Sequence, residues 1–127
     1  MSHISTWKIN ITDLGDVEKV KEKLTQLGYK LTDREINDYY GRVYNRQVAF
    51  KVQLSHDRVF GVTKEGQLIG DSYLINDEVT RLMDALTASV VSANLEKQGF
   101  VTSIEKKEDG FEVTADEPSQ LSMNSLW

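Results

Sequence analysis

Between Asn76 and Gly99, apolar residues recur at three- and four-residue steps: Val79, Leu82, Met83, Leu86, Val90 and Ala93. That spacing puts them on one face and predicts the principal helix of the chain. Asn76 is placed to cap its first turn, Asp77 and Glu78 set negative charge at the positive end of its dipole, and Lys97 precedes the terminating Gly99. A shorter helix is expected after Asp13 as cap, with Asp16 in its opening turn. Leu14, Val17, Val20, Leu24 and Leu27 form its apolar side, while Glu18, Lys19, Lys21, Glu22 and Lys23 face water. Both helices end alike. Leu24 to Tyr29 and Leu95 to Phe100 each carry a Gly four residues after a Leu, followed by an aromatic, as a left-handed glycine cap turning into a strand requires. Two such corners need no internal duplication.

The remaining pattern has period two. His3 to Ile11 predicts a strand with Trp7, Ile9 and Ile11 on one face, and Tyr29 to Arg34 begins an extended segment. Tyr39–Tyr44 and Gln47–Leu54 read as a hairpin around Asn45-Arg46, with Val48, Phe50, Val52 and Leu54 buried. Arg58–Thr63 and Gln67–Ile69 pair across Lys64-Glu65-Gly66, and Phe100–Glu105 pairs with Phe111–Thr114 across Lys107-Glu108-Asp109-Gly110. This order predicts an α+β fold, an antiparallel sheet with two helices packed on one face, and a ferredoxin-like or split βαβ topology is the nearest named arrangement. Residues 1–114 are expected to form one domain; residues 115–127, which hold the single proline, read as a flexible acidic and apolar tail.

Composition narrows the classes. A chain of 127 residues with 39% hydrophobic and 28% charged content is ordinary for a soluble domain, and no apolar run approaches the roughly 20 residues that span a bilayer. Without cysteine there is no disulfide, thiolate nucleophile or cysteine metal site, and without a basic, apolar leader the expectation is a cytoplasmic protein. The net charge of -5 argues against nucleic acid as the main partner. Charge is uneven, however: residues 34–64 hold six Lys and Arg against three acids, and residues 77–127 hold ten acids against four bases.

Catalytic constellations are hard to assemble. Ser55-His56-Asp57 has the residue types of a hydrolase triad, but consecutive residues cannot line up nucleophile, base and orienter, so a polar turn is expected. His3 and His56 are the two histidines and lack ligand spacing, and Gly61, Gly66 and Gly70 make no phosphate loop, so no metal and no cofactor is expected. The segment Tyr39-Tyr40-Gly41-Arg42-Val43-Tyr44-Asn45-Arg46 is richer. As a strand it would put Tyr40, Arg42 and Tyr44 on one face, with Arg46 close behind. That mixture suits a protein interface, single-stranded nucleic acid, or simply an amphipathic strand with its rings turned inward. The end of the tail, with Leu126 and Trp127, is a second candidate contact, in cis or on a partner.

The opening Met1-Ser2-His3-Ile4-Ser5-Thr6, then Ile11-Thr12-Asp13-Leu14 and the helix ending Leu27-Gly28-Tyr29, resembles a conserved family of cyanobacteria and algal plastids known as chloroplast reading frame thirty-five, a domain of unknown function. The resemblance continues through Tyr40-Gly41 and Gln98-Gly99-Phe100. Arg58-Val59-Phe60-Gly61 departs from the Asp-Ile-Gly-Phe-like stretch of that family, and the tail beyond Ala115 has no counterpart. The resemblance implies a small soluble protein with no assigned activity, cofactor or catalytic residue. Together these readings predict a non-enzymatic protein-binding module, regulatory or adaptor in kind. A single-stranded nucleic-acid binder is the alternative, and an exposed sheet edge leaves room for a homodimer.

Overall fold

A computed structural model describes residues 4–11, 13–71 and 76–117. Strands β1 (Ile4–Lys8), β2 (Lys30–Leu31), β3 (Phe50–Gln53), β4 (Val59–Val62) and β5 (Gln67–Asp71) form one antiparallel sheet in the order β1-β5-β4-β3-β2. Helix α1 (Val17–Gln26) follows β1, and helix α2 (Asn76–Lys97) follows β5. A separate hairpin, β6 (Val101–Lys107) with β7 (Gly110–Asp116), closes the described chain. The α+β class is as expected. A split βαβ unit also keeps antiparallel strands between the two that flank its helix, and in this sheet three of them, β5, β4 and β3, stand there. Here β1 and β2 flank α1 in sequence and lie at opposite edges of an all-antiparallel sheet.

The helix ends follow the glycine pattern. The amides of Tyr29 and Phe100 donate back to the carbonyls of Leu24 and Leu95 (3.1 and 3.0 Å), and those of Gly28 and Gly99 to Thr25 and Glu96 (3.0 Å each). With φ of 98° and 99°, both glycines adopt the left-handed cap conformation. At the other end of α1 the cap is Asp16, whose carboxylate accepts from the amide of Lys19 at 3.2 Å. Asp13, the expected cap, instead accepts from the amide of Gly15 at 2.7 Å and shapes the turn just before it. The residues preceding α2, the side chain of its proposed cap Asn76, His3 and the segment from 118 to 127 lie outside the described residues.

The main core joins Val20 and Leu24 of α1, Val79, Leu82, Leu86, Val90 and Ala93 of α2, and Phe50, Val52, Phe60, Val62 and Leu68 of the sheet. Register explains the choice: Phe50 faces Val62 and Val52 faces Phe60 across β3–β4, so the four share the helix-side face. Helix α2 is covered on a second side as well. The Ser92 and Thr102 hydroxyls bond at 2.5 Å, and the Arg81 guanidinium reaches the carbonyls of Glu108 and Lys107 (3.2 and 3.3 Å), so the final hairpin lies along the helix. This is why small residues such as Ala85, Ala88, Ser89 and Ser92 are buried beside the expected apolar stripe. Glu96 ties three elements together: it accepts from Lys19 (2.9 Å) and Lys23 (2.6 Å) of α1 and from the Thr102 hydroxyl of β6 (2.6 Å).

The other face of the sheet has its own small core, made by a loop. Along β3 the alternation breaks at Ala49: its amide donates to the Val62 carbonyl at 2.8 Å, although Phe50 is already the partner of Val62. Two residues thus stand opposite one, as in a bulge, and Val48 emerges on the far side instead of joining Phe50 and Val52. There Val48 and Ile36 close over Gly61, with Val59 and Ile69 buried around them. A Cβ on Gly61 would come within 2.6 Å of Val48 Cγ1 and 2.7 Å of Ile36 Cδ1. Gly70 is also crowded, but by the Phe60 ring on the helix side.

These two glycines should separate the layers. Gly61→Ala is expected to cost about 1 kcal/mol and to speed amide exchange at Tyr44, whose N–H donates to the Ile36 carbonyl. Gly70→Ala pushes on a packed ring and should cost about 2–3 kcal/mol in global denaturation. Glu96 gives a pH signature. Bonds from Lys23, Thr102 and Lys19 hold its carboxyl down at about 2 against an ordinary 4.5. Its contribution, on the order of 1–3 kcal/mol, is therefore full above pH 4.5 and disappears as pH falls toward 2. Urea melts of Glu96→Gln should show a shallower loss of stability across that window than the parent.

Candidate interaction surface

The segment from 37 to 43 folds as a tight hairpin tip rather than as the expected strand Tyr39–Tyr44. Asn37 and Val43 form an isolated antiparallel bridge, and the chain reverses through Asp38-Tyr39-Tyr40-Gly41. The amide of Gly41 donates to the Asp38 carbonyl (3.0 Å), that of Asp38 to the Arg42 carbonyl (3.0 Å), and Gly41 takes φ of 82°. The turn between β4 and β5 is built the same way. There the amide of Gly66 donates to the Thr63 carbonyl (3.0 Å), that of Thr63 to the Gln67 carbonyl (2.8 Å), and φ of Gly66 is 86°. In each, a polar side chain at the first position accepts from the amide four residues on: Thr63 from Gln67 (2.9 Å) and Asp38 from Arg42 (3.1 Å). The signal was a polar residue followed three positions later by Gly, a type I turn with a left-handed fourth residue. It is present at Asp38–Gly41, where the alternation of Tyr, Arg and Val hid it.

Asp38 does more than shape a turn. It is fully buried, and its carboxylate gathers donors from the whole loop. Oδ1 accepts from the amides of Tyr40 (2.9 Å) and Arg42 (3.1 Å). Oδ2 accepts from Arg42 Nε (2.8 Å), Arg42 Nη2 (2.7 Å) and the Tyr44 hydroxyl (3.1 Å). Burial alone would push this carboxyl up. The Arg42 side chain, the two backbone amides and the Tyr44 hydroxyl outweigh it and hold the group below its ordinary range. The same contacts raise Arg42 through its bond to Asp38, while burial and then Asp38 raise Tyr44.

The site residues expected from sequence therefore divide. Arg42, its side chain 61% exposed, and the half-buried Tyr44 both bond to Asp38, Tyr40 stands outside, and no strand face carries all three. Arg46 lies apart, at a cleft beside β3. Leu126 and Trp127 lie outside the described residues. Two contributors were missed, Asp38 and Tyr39. Tyr39 and Tyr40 are 52% and 65% exposed, with ring centroids 5.5 Å apart in an edge-on pair, and Val43 beside them is 53% exposed. The Arg58 guanidinium lies 5.3 Å from the Tyr39 ring centre and that of Arg42 lies 5.7 Å from the Tyr40 ring centre. The tip is thus a paired aromatic surface edged by two cations, standing on the face of the sheet away from the helices.

The neighbouring Ser55–Asp57 segment is a tight corner in which His56 and Asp57 both take a left-handed φ of 57°. Its Ser55 N–H and hydroxyl donate to the Glu78 carboxylate, not to His56, so these three residues make a pinned corner rather than a relay. Among the described residues no group of three or more His, Asp or Glu could hold a metal ion, and no helix is long and apolar enough to cross a membrane. Comparison with known proteins adds no assignment: no family model, curated protein or solved structure matches the chain.

The Asp38 knot makes a pH prediction of definite sign. Its carboxyl titrates lower when folded than its ordinary 3.8, so the order it gives the tip is complete above that value and is lost as the pH falls below it through the lowered folded value. Amide exchange at Tyr40 and Arg42 should accelerate in acid, and Asp38→Asn should show that acceleration already at neutral pH. The amides of β4 and β5 should stay protected in both cases.

Proposed function

We propose that this protein is a non-enzymatic protein-binding module, of regulatory or adaptor type, which engages its partner through the tip formed by Tyr39, Tyr40 and Val43. The observation that supports this reading is the exposure of two adjacent tyrosines on a loop fixed by a buried, fully bonded carboxylate. Large apolar rings with few rotatable bonds, flanked by Arg, are the side chains that dominate the energetics of protein interfaces. A tip ordered before contact gives up little conformational freedom on binding, and Asp38 supplies that order. Arg42 has a structural duty here as well as an edge contact. The family resemblance noted for the opening of the chain is compatible with this proposal and adds no activity to it.

Single-stranded nucleic acid is the weaker alternative, since a stacking platform needs rings and free cations along one strand. Here Arg42 and Tyr44 are occupied by Asp38, and the chain carries a net charge of -5. Affinity capture from the native host tests both readings. Wild type should retain a stoichiometric protein partner that survives nuclease treatment, and Tyr39→Ala/Tyr40→Ala should lose it without a change in melting temperature. A weaker loss is expected for Asp38→Asn, which keeps the rings and loosens their support. Identical partner lists for wild type and the double variant would remove the tip from the interface, and salt-sensitive binding to oligonucleotides would favour the alternative.

A further inference from the structure

A second surface, separate from the tyrosine tip, lies where β2 ends. After Leu31 the chain leaves the sheet, and it rejoins β3 only at Phe50. Between these two crossings opens a cleft of about 580 Å³, within the roughly 300–1,000 Å³ typical of small-molecule sites. Three cations from three elements line it: Lys21 of α1, Arg46 of the loop and Lys51 of β3. One carboxylate, that of Asp33, opposes them on the same lining, and Glu35 lines the smaller hollow alongside.

The cations are largely uncommitted. Arg46 makes no ion pair among the described residues and borders both hollows. Lys51 donates to the Asp33 backbone carbonyl at 3.1 Å, a neutral acceptor that leaves its charge uncompensated. Lys21 meets the exposed Glu18 at 3.5 Å, a surface pair of small value. The Thr32 hydroxyl accepts from the amide of Arg34 (3.1 Å) and keeps its own proton to donate. The half-buried Leu31 adds an apolar edge, while Phe50 beneath it is spent on the main core. In a chain with a net charge of -5, this local surplus is the reverse of what solubility alone would favour.

We propose that this cleft binds a phosphorylated small molecule of about mononucleotide size. Its phosphate sits among Arg46, Lys51 and Lys21, and its ring lies against Leu31. The Arg fork matches two phosphate oxygens at once, the ammonium groups add point charge, and the Thr32 hydroxyl supplies a further donor. The experiment is an amide chemical-shift titration of the full chain with AMP, pyrophosphate and adenosine. AMP and pyrophosphate should move the amides of Thr32, Ala49 and Lys51, adenosine should not, and added salt should weaken both. Arg46→Gln should weaken AMP binding about tenfold, the worth of one charge-assisted contact, without altering the fold. Lys51→Gln gives a second reading if the first variant perturbs the loop. Equal shifts with adenosine, shifts confined to other surfaces, an affinity for AMP within about twofold of wild type in both variants, or no shift with any probe would each overturn the assignment. The tyrosine tip takes no part, so Tyr39→Ala/Tyr40→Ala should bind AMP as wild type does.

Discussion

The loop between β2 and β3 holds its shape because one buried carboxylate satisfies its donors. Asp38 accepts from two backbone amides, twice from one guanidinium and once from a phenol. A buried charge is tolerable only when its lone pairs are filled and a countercharge lies in contact, and this arrangement meets both conditions. The consequences run in two directions. Inward, the bonded loop lowers Ile36 and Val48 onto Gly61 and seals the second face of the sheet. Outward, it lifts Tyr39 and Tyr40 clear of the surface. Burial and display are two results of the same set of bonds.

The rest of the molecule is a stack with α2 in the middle. The sheet and α1 press on one side of it and the β6–β7 hairpin on another, so its small residues are as much a packing requirement as its leucines. Glu96, near the end of α2, receives bonds from α1 and β6 together, which makes the junction of three elements dependent on one ionised group. Each of the two carboxylates therefore organises a different layer. Glu96 secures the helical side and Asp38 the loop side, and the five-stranded sheet keeps them apart.

Much of the helical layer was legible from residue spacing because its signals are local. The stripe from Val79 to Ala93, the paired glycine corners and the turn before Gly110 each depend on residues within a few positions of one another. The loop layer was not legible for two reasons. Tyr39 to Tyr44 alternates like a strand, and the competing signal of Asp38 with Gly41 is weaker on paper than the alternation it defeats. The extra residue at Ala49 then reverses Val48 to the far face, a change no periodicity reveals because it depends on pairing with Val62. Within the segment from Tyr39 to Arg46, the expected common face of Tyr40, Arg42 and Tyr44 does not form. Arg42 and Tyr44 serve the support, while the unexpected Tyr39 joins Tyr40 on the outside.

The glycine at position 61 has a consequence for how the molecule can vary. Because the loop layer rests on the sheet through a shallow contact of Ile36 and Val48 over a residue with no side chain, it shares few atoms with the main core. A segment attached in that way can open or be rebuilt without unfolding the scaffold beneath it. The chain thus divides into a conservative body and an interchangeable crest: new rings or charges could be written into positions 39, 40 and 43 while the helices and sheet went on folding as before.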